Sequence, residues 1–185
     1  MKNVKKVTAI ATAVVLATIS ISSIVSADYW PKGRSSAKFN AYYDSSVSSY
    51  GYTSAFDAGR EGWNGISSNV AIGKTSSTSG LNDKYYVGTT TNSRLVGQAS
   101  YYSPSGTPVD REALRAYSTV ALYHNTLDDK FPGVEYRTSA ATHEIGHTLS
   151  LGETTPNVNS VMQPLLQKIG VQTYDKNELK AKWGN

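Results

Sequence analysis

The sequence predicts an α+β fold built around a twisted, mostly parallel sheet of five strands or fewer, with about three helices. Short runs of β-branched and aromatic residues alternate along the chain with longer runs in which apolar residues recur at helical spacing. Strands that alternate with helices favour parallel pairing through right-handed connections. The chain contains no internal repeat or linker, and its 185 residues are 39% hydrophobic and 17% charged, which is typical of a globular domain.

Four segments are predicted to be strands, namely 36–44, 69–74, 84–89 and 118–126. The first of them alternates most clearly, because Ala37, Phe39, Ala41 and Tyr43 would all point to one face of a sheet. Residues 90–110 are rich in Ser, Gly, Pro and Tyr and have no sustained period. We therefore expect a long surface loop between the third and fourth strands.

Three segments carry the apolar spacing of helices. They begin at Thr53 or Ser54, Val134 and Asp175, and they end near Gly65, Leu149 and Trp183. In the second helix, Ala140, Ala141 and Ile145 lie near one face and are small enough, or apolar enough, to pack against the sheet. The last helix is expected to open with Asp175 in the cap position and Glu178 three residues later, which is the pattern of a capping box.

Residues 1–27 are predicted to be a signal peptide that is cleaved after Ala27. A basic head is followed by an apolar run, 7–25, and then by small residues at the positions that a signal peptidase reads. A membrane anchor is the alternative, but Thr and Ser dilute the run and a cleavage site follows it at once. We expect the remaining chain, 28–185, to be one secreted, extracellular domain that acts as a monomer and does not bind membranes.

Composition excludes two classes of function. Three of the 18 basic residues and none of the 14 acidic ones lie in residues 1–27, so the rest of the chain has a formal charge of only +1. Such a chain has no basic excess to neutralise a row of phosphates, which argues against nucleic-acid binding. The absence of Cys excludes disulfides and thiolate chemistry, so any catalysis must use His, carboxylate, Ser or Tyr side chains.

The segment ATHEIGHTLSLGE contains two of the three histidines, His143 and His147. On a helix, residues four apart lie on the same face one turn apart, so both imidazoles can bind one small cation. Glu144 lies beside them and can accept a proton from a water on that cation. The alternative is a helix whose histidines have only surface or packing roles.

A catalytic zinc site needs a third protein ligand and leaves a fourth position to water. Glu153 follows His147 by six residues, and a carboxylate is a competent third ligand beside two imidazoles. Two alternatives stay open at this point. Glu153 could be a solvated carboxylate at the end of the helix, or Glu178 on a later helix could be the third ligand, although Glu178 also fits the capping box.

Residues 136–183 resemble the catalytic half of the matrixin-like metzincins, a family of zinc proteases. The resemblance is carried by ATHEIGHTLSLGE, by the Met-turn-like segment Ser160-Val161-Met162-Gln163-Pro164, by the segment from Thr173 to Gly184 and, more loosely, by the opening Trp30-Pro31-Lys32-Gly33. Two positions depart from the family's pattern. Ser150 stands where the family has a glycine that turns the chain, and Glu153 stands where it has a third His.

The resemblance implies a metzincin-like catalytic domain with an antiparallel edge strand, in which 28–149 form an upper subdomain and 150–185 a small lower one below the cleft. His143, His147 and Glu153 would bind one Zn²⁺, with Met162 as a hydrophobic floor beneath the metal. The strand 118–126 would be the edge strand, so that Tyr123 and His124 could contact a polypeptide substrate. Leu165 and Leu166 would form a wall of the pocket for the side chain that follows the cut.

The expected activity is that of a secreted zinc-dependent endopeptidase with Glu144 as the general base. The main alternative is a catalytically degenerate binding module that keeps the fold and a structural zinc, and a third possibility is hydrolysis of a bond other than a peptide. Calcium is common in the family that the chain resembles. Four aspartates could supply oxygen ligands for it, namely Asp83, Asp110, Asp128 and Asp129, but no calcium-binding motif supports such a site.

Overall fold

The computed structural model describes residues 28–185 and contains a six-stranded mixed sheet and five helices. The predicted signal peptide, 1–27, lies outside the described residues. Within the described part, no helix is both long enough and apolar enough to cross a membrane. The predicted α+β class is confirmed, whereas the predicted size is wrong, because the sheet has more than five strands and there are more than three helices.

The strands are β1 (Ala37–Tyr43), β2 (Val70–Thr75), β3 (Asp83–Gly88), β4 (Gly97–Tyr102), β5 (Pro108–Val109) and β6 (Tyr117–Tyr123). The helices are α1 (Ser45–Ser49), α2 (Thr53–Trp63), α3 (His124–Lys130), α4 (Val134–Thr148) and α5 (Thr173–Trp183). In space the strands follow the order β2-β1-β3-β6-β4-β5. The first four strands in this order are parallel to one another, and β4 is antiparallel to both β6 and β5.

The predicted surface loop at 90–110 is wrong, because it contains β4 and β5. Gly97 and Tyr101 are buried in β4, but the residues between them are small or polar. The strand therefore lacks the apolar alternation by which strands are recognised in a sequence. Its place in the sheet depends on backbone pairing with β6, from Gly97 opposite Leu122 to Tyr102 opposite Tyr117.

The predicted edge strand at 118–126 is also corrected. The strand β6 lies between β3 and β4 in the interior of the sheet, and it ends at Tyr123. Alternate residues Ser118, Val120 and Leu122 are buried along it. Beyond Tyr123 the burial period changes, since the chain turns into α3 and buries the adjacent Thr126 and Leu127. The edge that this end of the sheet presents is formed by β4, with β5 beside only its last two residues.

The core holds α4 firmly between the sheet and α2. A Cβ added to Gly59 of α2 would lie 3.0 Å from the backbone nitrogen of Thr142, so this crossing is too close for a larger residue. The indole of Trp63 donates a hydrogen bond of 2.9 Å to the Thr142 carbonyl. Both contacts lie one residue from His143, so the packing fixes the part of α4 that carries the candidate ligands.

The capping box of α5 is present, but its members differ from the prediction. Gln172 is the N-cap residue and Asp175 is the third residue of the helix, so Asp175 reaches back to the Gln172 backbone N–H at 2.7 Å. Glu178 has no part in the cap. Its carboxylate accepts a hydrogen bond of 2.9 Å from the backbone nitrogen of Asp28.

Candidate metal centre

His143 and His147 project from one face of α4 with their ring centroids 4.7 Å apart. Each ring is anchored through Nδ1 to a backbone carbonyl, His143 to Val161 at 2.8 Å and His147 to Leu151 at 2.9 Å. A carbonyl oxygen can only accept, so Nδ1 carries the proton in both rings. This leaves Nε2 of each neutral imidazole as a lone-pair donor with a fixed direction, the usual arrangement around a metal-binding histidine.

Glu153 brings a carboxylate oxygen to the same point. Its Oε1 lies 3.4 Å from Nε2 of His143 and 3.4 Å from Nε2 of His147. Zinc bonds of about 2.0–2.2 Å in a tetrahedral arrangement separate two ligand atoms by about 3.3–3.6 Å, so Oε1 lies at a suitable distance from each imidazole nitrogen. The three ligand atoms all lie within 4.8 Å of one another, close enough to hold one metal ion. Within residues 28–185, these three side chains form the one group of His and carboxylate residues that could hold a metal.

The charges of the three side chains are coupled when no metal is bound. Burial lowers the pKa of His143, but Glu153 and Glu144 beside it raise the pKa by more, to about 9. Burial likewise raises the pKa of Glu153, and the two imidazoles outweigh this effect and lower it to about 2. The centre therefore contains a carboxylate that is ionised at all physiological pH values, and protons on the imidazoles compete with any metal.

Glu144 lies against the same site but is held differently. Its side chain is buried, with 7% of the residue exposed, and burial raises the pKa of its carboxyl group above the usual range despite the opposing effect of the two imidazoles. Gly97 of β4 makes this position possible, because a Cβ at Gly97 would lie 2.7 Å from Oε1 of Glu144. A buried carboxyl group with a raised pKa at a cleft is typical of a proton-transfer residue.

The turn between α4 and Glu153 has a strained residue at its centre. Ser150 has a φ of 69°, and among the described residues it is the one non-glycine residue with a positive φ. A left-handed conformation costs a residue with a Cβ about 1–2 kcal/mol. Ser150 nevertheless adopts a conformation that is usual for glycine, and it is fully buried, with its hydroxyl against Gly33 and Arg115.

Met162 packs against α4 at Gly146, which lies between the two candidate ligand histidines in the sequence. It is 2% exposed, and a Cβ on Gly146 would come within 2.4 Å of its sulfur. Its carbonyl accepts a hydrogen bond of 2.9 Å from the backbone N–H of Thr154, next to Glu153. Through these contacts the segment of Met162 supports both α4 and the turn that carries the third candidate ligand.

Asp175 of α5 holds the same segment from below. Its carboxylate accepts hydrogen bonds from the Ser160 hydroxyl and, at 3.0 Å, from the backbone N–H of Val161. Because the Val161 carbonyl anchors His143, Asp175 contributes to the orientation of a candidate ligand. Asp175 is 1% exposed and was predicted from the sequence only as a helix cap.

The three candidate ligands and Glu144 lie in a cleft under β4. On one side of His143 is a cavity of about 190 Å³, whose lining includes Arg94, Val96, Ala140, Gln163 and Leu166. On the other side is a cavity of about 250 Å³, whose lining includes Trp30, Gln98, Tyr101 and Arg111. The indole of Trp30 stacks on His147, with ring centroids 5.6 Å apart and planes 17° apart.

Three predicted substrate contacts, Tyr123, His124 and Leu165, lie outside the lining of the two cavities, and their contact with a substrate stays a prediction. His124 begins α3, and its Nδ1 lies 3.3 Å from the Tyr52 hydroxyl and 3.4 Å from Asp128. Tyr123 is outside the lining of both cavities and bonds through its hydroxyl to the side chain of Gln98 on β4. Leu165 is 70% exposed and contributes to neither cavity, whereas Leu166 lines the first.

Glu178 and the four candidate calcium ligands take no part in the cluster around the histidines. The carboxylate of Glu178 is bonded to the backbone of Asp28. The four aspartates do not gather into a metal-binding group in the part of the chain that the structure describes. Asp83 forms a buried ion pair with Arg34 at 2.6 Å, and Asp128 pairs with Arg137 at 2.6 Å, so both carboxylates already have cationic partners.

Sequence reasoning missed Gly97, Arg115 and the stacking role of Trp30. Gly97 and Arg115 lie in or near a stretch without apolar periodicity, and neither has a local pattern that could have indicated its place. In the sequence Trp30 is only part of an opening segment, and its contact with His147 joins residues more than a hundred positions apart in the chain. Contacts of this kind depend on the tertiary fold.

Comparison with known proteins assigns no family, since no family model matches the chain and no curated protein matches it.

Proposed function

We propose that the protein is a zinc-dependent endopeptidase of the matrixin-like metzincin type, with His143, His147 and Glu153 as the zinc ligands. One observation supports this proposal above all others. Two imidazoles with anchored Nδ1 atoms and one carboxylate bring their donor atoms together, with the carboxylate oxygen 3.4 Å from each imidazole nitrogen, next to a buried carboxyl group. Such a set leaves a position for water, as catalytic zinc sites do.

Bound zinc would supply a Lewis acid that polarises a carbonyl oxygen and lowers the pKa of a water molecule. Glu144 accepts the proton of the attacking water and then delivers it to the nitrogen of the leaving amine. Its raised pKa suits both roles, because the carboxylate must take up a proton and also give it back. His143 and His147 keep their direction throughout, since their Nδ1 atoms are fixed by backbone carbonyls.

The substrate in this proposal is an extended polypeptide bound along β4. From Gly97 to Ser100, the outer edge of β4 pairs with no other strand among residues 28–185. An extended peptide can add to such an edge through backbone hydrogen bonds. The adjacent cavity, with Val96, Ala140 and Leu166 on its walls, would receive an apolar side chain next to the cut.

The proposal includes two further points, namely that the protein is exported and that it acts as a monomer. Export is inferred from the sequence of residues 1–27 alone. A binding module with a structural zinc would have the same metal content without turnover. A closed structural site has no use for a buried proton acceptor, and Glu144 occupies such a position beside the candidate ligands. This placement favours the enzyme over the binding module.

The test replaces Glu144 by Ala and measures cleavage of casein or a labelled peptide, with zinc content determined on the same samples. We expect Glu144→Ala to keep its zinc and to lose at least about 100-fold in turnover, the usual contribution of a general base. Chelation should abolish the wild-type activity, and added zinc should restore it. Glu135→Ala, which removes an exposed carboxylate from the same helix, is the matched control and should behave as wild type.

Near-wild-type turnover by Glu144→Ala would show that the general base is assigned wrongly. A wild-type protein that binds zinc stoichiometrically and cleaves neither substrate would support the binding module instead. A protein that binds no zinc would overturn both.

A further inference from the structure

Arg115 is a buried cation that lies beside the metal centre and has no carboxylate partner. It is 2% exposed, and no acidic side chain in residues 28–185 lies within ion-pairing distance of its guanidinium. Burial lowers the pKa of this guanidinium to about 10, which reflects the cost of removing its charge from water. Charges are seldom buried without a partner, so other groups around Arg115 must stabilise its positive charge.

The guanidinium is directed at the end of α4 and the turn that follows it. Its Nη2 donates to the carbonyl of His147 at 3.0 Å, to the carbonyl of Thr148 at 3.1 Å and to the hydroxyl of Ser150 at 2.9 Å. Carbonyls at the end of a helix lack partners within the helix and carry partial negative charge, so a cation is favoured there. Arg115 thus contacts a candidate metal ligand and the strained residue of the turn together.

Ser150 holds a backbone conformation that its side chain disfavours. Its φ of 69° lies in the left-handed region, where glycine is the usual residue. The Ser150 hydroxyl accepts a second hydrogen bond, of 3.3 Å, from the backbone nitrogen of Arg34. There is little other room for this hydroxyl, since a Cβ on Gly33 would lie 2.5 Å from it.

We propose that Arg115 is a positioning residue of the metal centre, which binds the Ser150 hydroxyl and thereby stabilises the left-handed turn that carries Glu153 to the two histidines. The bond from a charged donor offsets the strain that a serine introduces at a glycine-like position. The same guanidinium restrains the carbonyl of His147, so one side chain holds both the end of α4 and the centre of the turn. This inference rests on the proposed zinc site.

The first test exploits the difference between Ala and Gly at position 150, with zinc affinity measured by competition against a chelating dye. Ser150→Ala keeps the strain and loses the hydroxyl, so we expect zinc to bind about 10-fold more weakly, in the range found for outer-shell partners of metal ligands. Ser150→Gly loses the hydroxyl and the strain together, so we expect an affinity within about 2-fold of wild type. Equal zinc affinities of Ser150→Ala and wild type would overturn the proposal.

The second test removes the guanidinium. Arg115→Met should weaken zinc binding by about 10- to 100-fold, and the addition of Ser150→Gly to this variant should recover most of the loss, because glycine adopts the turn without support. If Arg115→Met does not fold, Arg115→Lys keeps the charge without the planar fork and is measured in the same way. A loss of affinity that Ser150→Gly fails to restore would show that Arg115 acts by general packing, against the proposal.

Ser118→Ala is the control, because Ser118 is a buried serine whose hydroxyl has no hydrogen-bond partner in the described chain. It should leave the zinc affinity unchanged, even where the thermal midpoint of the metal-free protein moves. Failure of the wild-type protein to bind zinc would refute the proposed function itself. Tight binding by wild type with identical affinities in all the variants would refute only the role of Arg115.

Discussion

At the scale of single residues, the centre depends on small side chains that permit close approach. Gly97 leaves space for Glu144, and Gly146 leaves space for Met162. The histidine pair and Glu144 could be predicted from the sequence, because their spacing on a helix defines their geometry directly. The permissive glycines could not be predicted, since their importance comes from neighbours on other elements.

Gly97→Ala should impair catalysis without releasing the metal. The added methyl carbon would lie 2.7 Å from Oε1 of Glu144 and 2.9 Å from Leu122, so the carboxylate must move. Displacement of a catalytic group by about 1 Å lowers turnover by about 100-fold, which is the expected loss in kcat. The variant should retain wild-type zinc content when the metal is measured by atomic absorption.

The control for this change is Gly88→Ala, because a Cβ at Gly88 of β3 meets no atom within 4 Å. It should retain full activity. If Gly97→Ala were as active as this control, Glu144 would not need its present position.

At the scale of elements, the long helices were easier to predict than the strand that lines the cleft. The predicted helix from Val134 to Leu149 differs from α4 by one residue at its end, because apolar spacing and a preceding glycine mark it. The strand β4 has no such mark, and the same is true of the short α3, whose first three residues fall within the predicted strand 118–126. Both are determined by what they pair with or pack against, and a local pattern does not contain that information.

The link between α5 and the Met162 segment supplies a prediction for Asp175→Asn. The Asn amide has one acceptor oxygen, so its nitrogen would face either the two backbone N–H donors or the Ser160 hydroxyl. At least one hydrogen bond to a charged acceptor would be lost, at about 1.5–3 kcal/mol. For a domain of this size we expect the unfolding midpoint to fall by about 3–12 °C. Zinc affinity should fall as well, because the Val161 carbonyl that anchors His143 loses its support.

Calorimetry of the zinc-loaded and chelated forms would measure both effects. Asp129→Asn, a change at an exposed aspartate, provides the comparison and should not alter the midpoint. An Asp175→Asn protein with wild-type stability and zinc affinity would contradict the link between α5 and the centre.

At the scale of the whole molecule, metal removal should lower the stability of the entire domain. An ion that binds only the folded state at a concentration 100 times its dissociation constant stabilises that state by about 2.7 kcal/mol. We expect chelation to lower the unfolding midpoint by about 5–11 °C. His143→Ala should abolish this difference, whereas His124→Ala should preserve it, because His124 lies outside the centre.

The pH dependence of the chelated protein follows from the same groups. Because the pKa of His143 is higher in the folded protein, its protonation stabilises the fold fully at pH values below 6.5, the ordinary pKa of histidine. This contribution is lost as the pH rises through about 9. Because the pKa of Glu153 is lower in the folded protein, its ionisation stabilises the fold fully at pH values above 4.5, the ordinary pKa of this carboxyl group. This contribution is lost as the pH falls through about 2. Thermal unfolding of the chelated protein between pH 6 and 10 should show a decline that His143→Ala lacks.

The first described residues lie against the turn at the end of α4. The backbone carbonyl of Asp28 accepts a hydrogen bond of 2.7 Å from the backbone N–H of Gly152. The backbone N–H of Trp30 donates a hydrogen bond of 2.8 Å to the Ser150 carbonyl, and Tyr29 forms an antiparallel bridge with Leu151. During synthesis the amino-terminal residues emerge first. They cannot form these hydrogen bonds until about the last quarter of the chain has emerged as well. A chain interrupted before residue 150 would therefore lack both these partners of its first residues and the turn that carries Glu153.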